Sequence, residues 1–112
     1  TQDRVPTVYI ENGNVLNLDP NDPIEVNFFH QGINDDYGLP TGLKNPELTT
    51  MKWHHGHNGS IINGVPRIGF MRGGKSALWS DIDMADYFLK EATEYIKRNK
   101  NNPFFLFYSL LF

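Results

Sequence analysis

A chain of 112 residues is sized for one small domain or for part of a larger one. Its formal charge of -3 is too small to argue for nucleic acid or an anionic membrane surface as partner, and neither is expected; the lack of cysteine excludes disulfides, cysteine-ligated zinc and a thiol nucleophile within these residues. The apolar fraction of 39% is a little low for a globular domain. It is concentrated in a C-terminal run about half the roughly 20 residues of a membrane helix, so no membrane span is expected.

Taken in order, Val8-Tyr9-Ile10 and Val15-Leu16 flank Asn12-Gly13, a dipeptide suited to positive φ, and predict a β-hairpin over residues 7–18. Asp19-Pro20-Asn21-Asp22-Pro23 reads as a rigid turn. Ile24-Glu25-Val26-Asn27-Phe28 alternates and predicts a short, exposed strand. Residues 29–50, rich in Gly, Asn, Asp and Pro, show no sustained period and read as a long irregular loop. Residues 51–79 read as irregular too, but carry His, Gly, Asn, Arg, Lys and two Trp.

At Ser80 the pattern changes. Ser80 is a natural N-cap, with Asp83 three residues on as an Asp variant of the capping box. Ile82, Ala85, Leu89, Ala92 and Ile96 recur at helical spacing, with Phe88 widening the stripe. Asp81, Asp83 and Asp86 crowd the first turns and Lys97, Arg98 and Lys100 the last, as the helix dipole favours. Asn99 to Asn102 and Pro103 stop the helix. The nearly unbroken apolar run of residues 103–112 predicts a parallel-type strand buried on both faces. The class is α/β, organised as a hairpin and short strand over 1–28, a loop region over 29–79 and a helix–strand unit over 80–112. Half of a βαβ unit cannot bury such a strand. The chain also begins Thr1-Gln2-Asp3 without Met or signal peptide. Both ends are therefore expected to be cut.

Two stretches invite a chemical reading. Gly69-Phe-Met-Arg-Gly-Gly74-Lys75-Ser76 satisfies G-x-x-x-x-G-K-[ST], in which backbone amides cradle phosphates, the Lys reaches the terminal ones and the Ser holds magnesium. Its context argues for a glycine turn with exposed cations instead. Gly64 and Pro66 interrupt the strand that should precede it, and the best helix cap comes four residues late. Trp53-His54-His55-Gly56-His57-Asn58 gathers three histidines, but without a known zinc spacing or an adjacent acidic ligand. Imidazoles that bond hydroxyls and an indole that stacks on a pyranose also suit a sugar-binding loop, and the bland alternative is a solvated polar loop. Asn58-Gly59-Ser60 matches a glycosylation sequon, a short pattern frequent by chance. Asp81, Asp83 and Asp86 are better read as helix-dipole partners than as a metal cluster. Ser109 lacks a nucleophile elbow and reads as a strand residue.

Beyond these local motifs, the segments beginning Asp3-Arg-Val-Pro-Thr-Val-Tyr-Ile, Asn17-Leu-Asp-Pro-Asn-Asp-Pro-Ile and Asn45-Pro-Glu-Leu, with the long run from His55 to Trp79, Asp83-Met-Ala-Asp and Asn102-Pro-Phe-Phe-Leu-Phe, resemble type I sulfatases of the arylsulfatase A-like, polysaccharide-degrading sort. The resemblance is collinear over nearly the whole chain. It implies an alkaline-phosphatase-like fold, a mixed sheet with helices on both faces, with these residues an internal fragment of the N-terminal catalytic domain. It implies hydrolysis of a sulfate ester on a sulfated carbohydrate, with calcium and a formylglycine nucleophile in the parent enzyme, and a periplasmic or extracellular location. Charge develops on the sulfate and leaving-group oxygens, which is why such chemistry needs a cation, neutralising side chains and an acid.

The departures from the family pattern limit what is carried over. No C/S-x-P-x-R occurs, the family's Gly-Lys-Trp-His is imitated only by Lys52-Trp53-His54 in a different neighbourhood, and the His-x-Pro-His of the family would begin just past Phe112. No catalytic or metal residue is therefore assigned here. The expected contribution is substrate recognition by His55 and His57, through sugar hydroxyls, and by Arg67, Arg72 and Lys75, through an anionic glycan. The competing readings are a phosphate-loop segment at Gly69 to Ser76 and a non-catalytic glycan-binding module.

Overall fold

The computed structural model describes residues 2–29, 39–51 and 56–110. Its contacts divide the chain into two compact units, Thr1–Trp79 and Ser80–Phe112. Both helix and strand are present, the strands short and antiparallel and the one long helix C-terminal.

In the first unit, β1 (Ile10–Glu11) and β2 (Asn14–Val15) pair antiparallel, with Ile10 opposite Val15. The turn between them places Asn12 at φ 50 and Gly13 at φ 80, the left-handed pair that a two-residue hairpin of this hand requires. The predicted hairpin is present, although Val8 pairs elsewhere, in an antiparallel bridge to Leu78. The short strand predicted next is β3 (Glu25–Asn27).

The stretch read as irregular contains more order than its composition suggests. A second hairpin joins β4 (Ile61–Ile62) to β5 (Val65–Pro66) through Asn63 at φ 55 and Gly64 at φ 73. It carries the same Asn-Gly signal as the first, flanked by Ile and Val, but Pro66 disguises the returning strand. Pro is tolerated because β5 lies at the edge of a two-stranded sheet. Then β6 (Phe70–Arg72) pairs antiparallel with β3, setting Val26 opposite Met71. That pairing spans the intervening loops, so its partner could not be read from local pattern.

Val5, Val8, Ile62, Met71 and Ala77 form the buried cluster of this unit, with Val15, Ile24, Val26, Leu39 and Leu78 packed against it. The 3₁₀ turns Pro46–Leu48 and Lys75–Ala77 complete it.

The second unit holds α1 (Met84–Asn99). It starts later than Ser80 predicts: Asp83 occupies the N-cap position, without a side-chain cap bond, and the preceding residues form a turn. Lys97 and Arg98 lie in the last turn, as the dipole favours. After the helix, Tyr95 packs edge-on against Phe104, with ring centroids 5.5 Å apart. The expected buried strand does not form among the described residues. Residues 103–110 are exposed and pair with no strand, and Phe105 and Phe107 are 87% and 80% exposed. The apolar residues of this unit are likewise open at Ile82, in the turn before α1, and at Leu89 on the helix. A strand buried on both faces needs neighbouring strands and covering helices, and none of the described elements supplies them.

Candidate functional site

Two loops that are distant in sequence meet at the Gly-Gly-Lys-Ser turn. The amide of Gly74 donates to the Asp22 carbonyl (2.8 Å), and the amide of Lys75 to Asp22 Oδ2 (2.9 Å). The Ser76 hydroxyl donates to the Asn17 carbonyl (2.7 Å) and accepts the Asp19 amide (3.2 Å). Asp19 closes its own loop by accepting the Asn21 amide at Oδ1 and the Asp22 amide at its carbonyl. The approach is close enough to require glycine. Gly73 sits at φ 70, and a Cβ there would lie 1.9 Å from the Pro23 carbonyl oxygen.

This geometry overturns the phosphate-loop reading. The amides of Gly74 and Lys75, which a phosphate cradle turns towards its ligand, are donated to a carbonyl and a carboxylate of the same chain. The stretch is followed by a single 3₁₀ turn, Lys75–Ala77, rather than a helix whose N-terminus could hold an anion. The backbone is prepared for an anion, but Asp22 is that anion.

The segment that follows His57 is anchored to β6, the strand that precedes the Gly-Gly-Lys-Ser turn. Ser60 is fully buried, and its Oγ accepts the Met71 amide (2.8 Å) while contacting the Met71 carbonyl (3.4 Å). Around it the backbone forms three layers. Gly42 and Ile61 donate to the Gly59 and Pro40 carbonyls on one side, and Gly59 and Ser60 donate to the Arg67 and Gly69 carbonyls on the other. A Cβ at Gly59 would meet the Gly69 carbonyl oxygen at 1.9 Å, so no other residue fits. His57 precedes this anchor and is half-buried, and Lys75 follows β6 and is exposed. Both arms are thereby tied to one short strand.

The five residues expected to touch a glycan fall into different surroundings. His55 lies outside the described residues, as do Lys52, Trp53 and His54. Arg67 is only 1% exposed, and its Nη1 and Nη2 donate to the Gln2 and Ile62 carbonyls at 2.9 Å each. Its guanidinium ties the N-terminal segment to β4, a correction to the expectation that it faces a glycan. Arg72 stands opposite Glu25 across the β3–β6 pair and is ion-paired with it, Nε to Oε2 at 2.8 Å, with both side chains about half exposed. His57 and Lys75 are the remaining two. Sequence reading missed Asp22 and Ser60, whose roles are intramolecular. Asp22 was legible only as a turn former, and Ser60 only as the end of a sequon.

The comparisons with known proteins set this segment in a wider frame. No family model matches the chain. In sequence and in structure it is nonetheless similar to part of a sulfatase. One relative in sequence is the N-acetylgalactosamine-6-O-sulfatase of Bacteroides thetaiotaomicron, 55% identical over 107 residues, which cover 96% of this chain and 20% of that protein. A solved sulfatase chain from Bacteroides thetaiotaomicron, described with the metabolism of multiple glycosaminoglycans, superposes with a TM-score of 0.86 at 56% identity, covering 95% of this chain and 21% of its own. The chain thus spans about a fifth of the length of the proteins it matches.

Proposed function

We propose that these residues belong to a sulfuric ester hydrolase acting on a sulfated glycosaminoglycan sugar, such as the 6-O-sulfated N-acetylgalactosamine named for its relative. The observation that carries the reading is collinear identity of 55% across 96% of the chain. In this reading the parent has an alkaline-phosphatase-like α/β fold, and residues 103–112 become one strand of its larger sheet. The exposure of the contiguous run Phe104, Phe105, Leu106, Phe107 and Leu110 supports that role, since an apolar patch of this kind marks a surface that another element covers. A periplasmic or extracellular location follows from the resemblance. No helix among the described residues is long and apolar enough to cross a membrane.

Calcium and formylglycine belong to the parent by the same resemblance, and the residues present do not fit as their holders. The chain has no cysteine and no C/S-x-P-x-R, and among the described residues no three His, Cys, Asp or Glu side chains converge as a metal site. The reading gives this segment no nucleophile and no metal ligand.

Its part is the substrate surface. His57 and Lys75 are assigned the contacts to sugar hydroxyls and to anionic groups, with His55 beside His57 in sequence and Arg72 contributing what its pairing with Glu25 leaves. The test is kinetic. In the full-length enzyme, His57→Ala and Lys75→Ala should each lower kcat/KM for a sulfated disaccharide about tenfold, mainly through KM. A change within about twofold for both would remove the substrate role from this surface while leaving the hydrolase assignment standing.

A further inference from the structure

The chain contains three Asn-Gly dipeptides, at Asn12-Gly13, Asn58-Gly59 and Asn63-Gly64. Each offers the sequence prone to spontaneous succinimide formation, because glycine leaves its own nitrogen unhindered. We infer that Asn12 is a self-modification site of this fold, converting to Asp and isoAsp, and that the structure protects the other two asparagines.

The reaction requires a free side-chain amide, a backbone nitrogen not held in a hydrogen bond, and a turn that opens. The Gly13 nitrogen attacks Asn12 Cγ, and the new N–Cγ bond closes a succinimide. The Cγ–Nδ2 bond breaks, and ammonia leaves carrying the proton from the Gly13 nitrogen. Water then opens the ring, either at Cγ to give Asp or at the Asn12 backbone carbonyl carbon to give isoAsp. No reactant other than water is needed.

Each of the other two sites fails one of these requirements that Asn12-Gly13 meets. Asn12 and Gly13 are both exposed, and neither the Asn12 side-chain amide nor the Gly13 nitrogen has a partner among the described residues. A Cβ built at Gly13 would meet nothing within 4 Å. The strands flanking this turn are two residues long and largely exposed, so the turn opens locally. At Asn58-Gly59 the attacking nitrogen is itself engaged, donating to the Arg67 carbonyl at 2.9 Å in a buried layer. At Asn63-Gly64 the side-chain amide donates to the Trp79 carbonyl at 2.8 Å. The Gly64 carbonyl accepts both the amide and the hydroxyl of Thr50, which clamps that turn.

The experiment incubates the folded full-length protein at mildly alkaline pH and follows the three peptides by mass spectrometry, with isoAsp resolved chromatographically. Asn12 should convert at least about tenfold faster than Asn58 and Asn63. In denaturant the three rates should converge to within about threefold, because only local structure separates them. Conversion of Asn58 or Asn63 at the pace of Asn12 in the folded protein would overturn the inference. So would persistence of the tenfold ranking in denaturant, which would place the cause in flanking sequence.

Discussion

Asp22 holds the turn at Lys75 with two acceptors: its carboxylate takes the Lys75 amide at 2.9 Å and its carbonyl takes the Gly74 amide at 2.8 Å. A side-chain oxygen at the start of a 3₁₀ turn acts as an N-cap does, satisfying a donor that would otherwise face water or nothing. Asp22→Ala should therefore lower stability by about 1 kcal/mol, and Asp22→Asn, which keeps an acceptor, by less. Denaturant midpoints of the two variants measure this. Equal losses for both would show that the carboxylate charge, rather than the acceptor, is what matters.

The Gly73 position makes a sharper demand. Gly73→Ala must both hold a left-handed backbone and relieve a Cβ 1.9 Å from the Pro23 carbonyl oxygen. A loss of about 1–3 kcal/mol is expected. Lys75→Ala should leave stability nearly unchanged, because only its backbone amide is used in the turn. The same variant should show no loss of ATP affinity, since there is no cradle to lose. A nucleotide affinity that Lys75→Ala abolishes would restore the phosphate-loop reading.

Ser60 and Arg67 test the interior. Ser60→Ala leaves the buried Met71 amide without its acceptor, which should cost about 1–3 kcal/mol. Arg67→Lys should be nearly as damaging as Arg67→Met, because an ammonium cannot span the Gln2 and Ile62 carbonyls as the guanidinium fork does. In the full-length protein the Arg67 variants should lose thermal stability while the folded fraction keeps its KM in the proposed sulfate-ester hydrolysis. A raised KM at unchanged stability would return Arg67 to the substrate surface.

The Glu25–Arg72 pair is a surface interaction between half-exposed side chains. Glu25→Gln should change stability by about 0.2–1 kcal/mol, and added salt should shrink the difference. If Arg72 also meets an anionic glycan, the same variant should lower KM by releasing the guanidinium from its cross-strand partner.

How much of this was legible beforehand depends on sequence separation. The hairpin at Asn12-Gly13 and the strand at Glu25 are local and announced themselves through turn chemistry and alternation. Helix α1 was visible in its spacing, but Ser80 was too attractive a cap, and Asp83 took the position three residues later. The pairing of β3 with β6 joins Val26 to Met71, and no local rule connects them. Arg67 looked like a glycan contact because cations and histidines crowd an aperiodic loop there; its burial follows from carbonyls that chain folding brings to it. Residues 103–110 have the composition of an interior strand, yet burial requires neighbours that these residues cannot provide.

The most direct test of the central claim is the release of sulfate by the full-length protein from glycosaminoglycan disaccharides that differ only in sulfate position. The account predicts release from a 6-O-sulfated N-acetylgalactosamine unit and a fall in kcat/KM for that substrate with His57→Ala. A full-length, folded protein that releases no sulfate from any sulfated sugar, while hydrolysing a nucleotide or another phosphate ester instead, would contradict it.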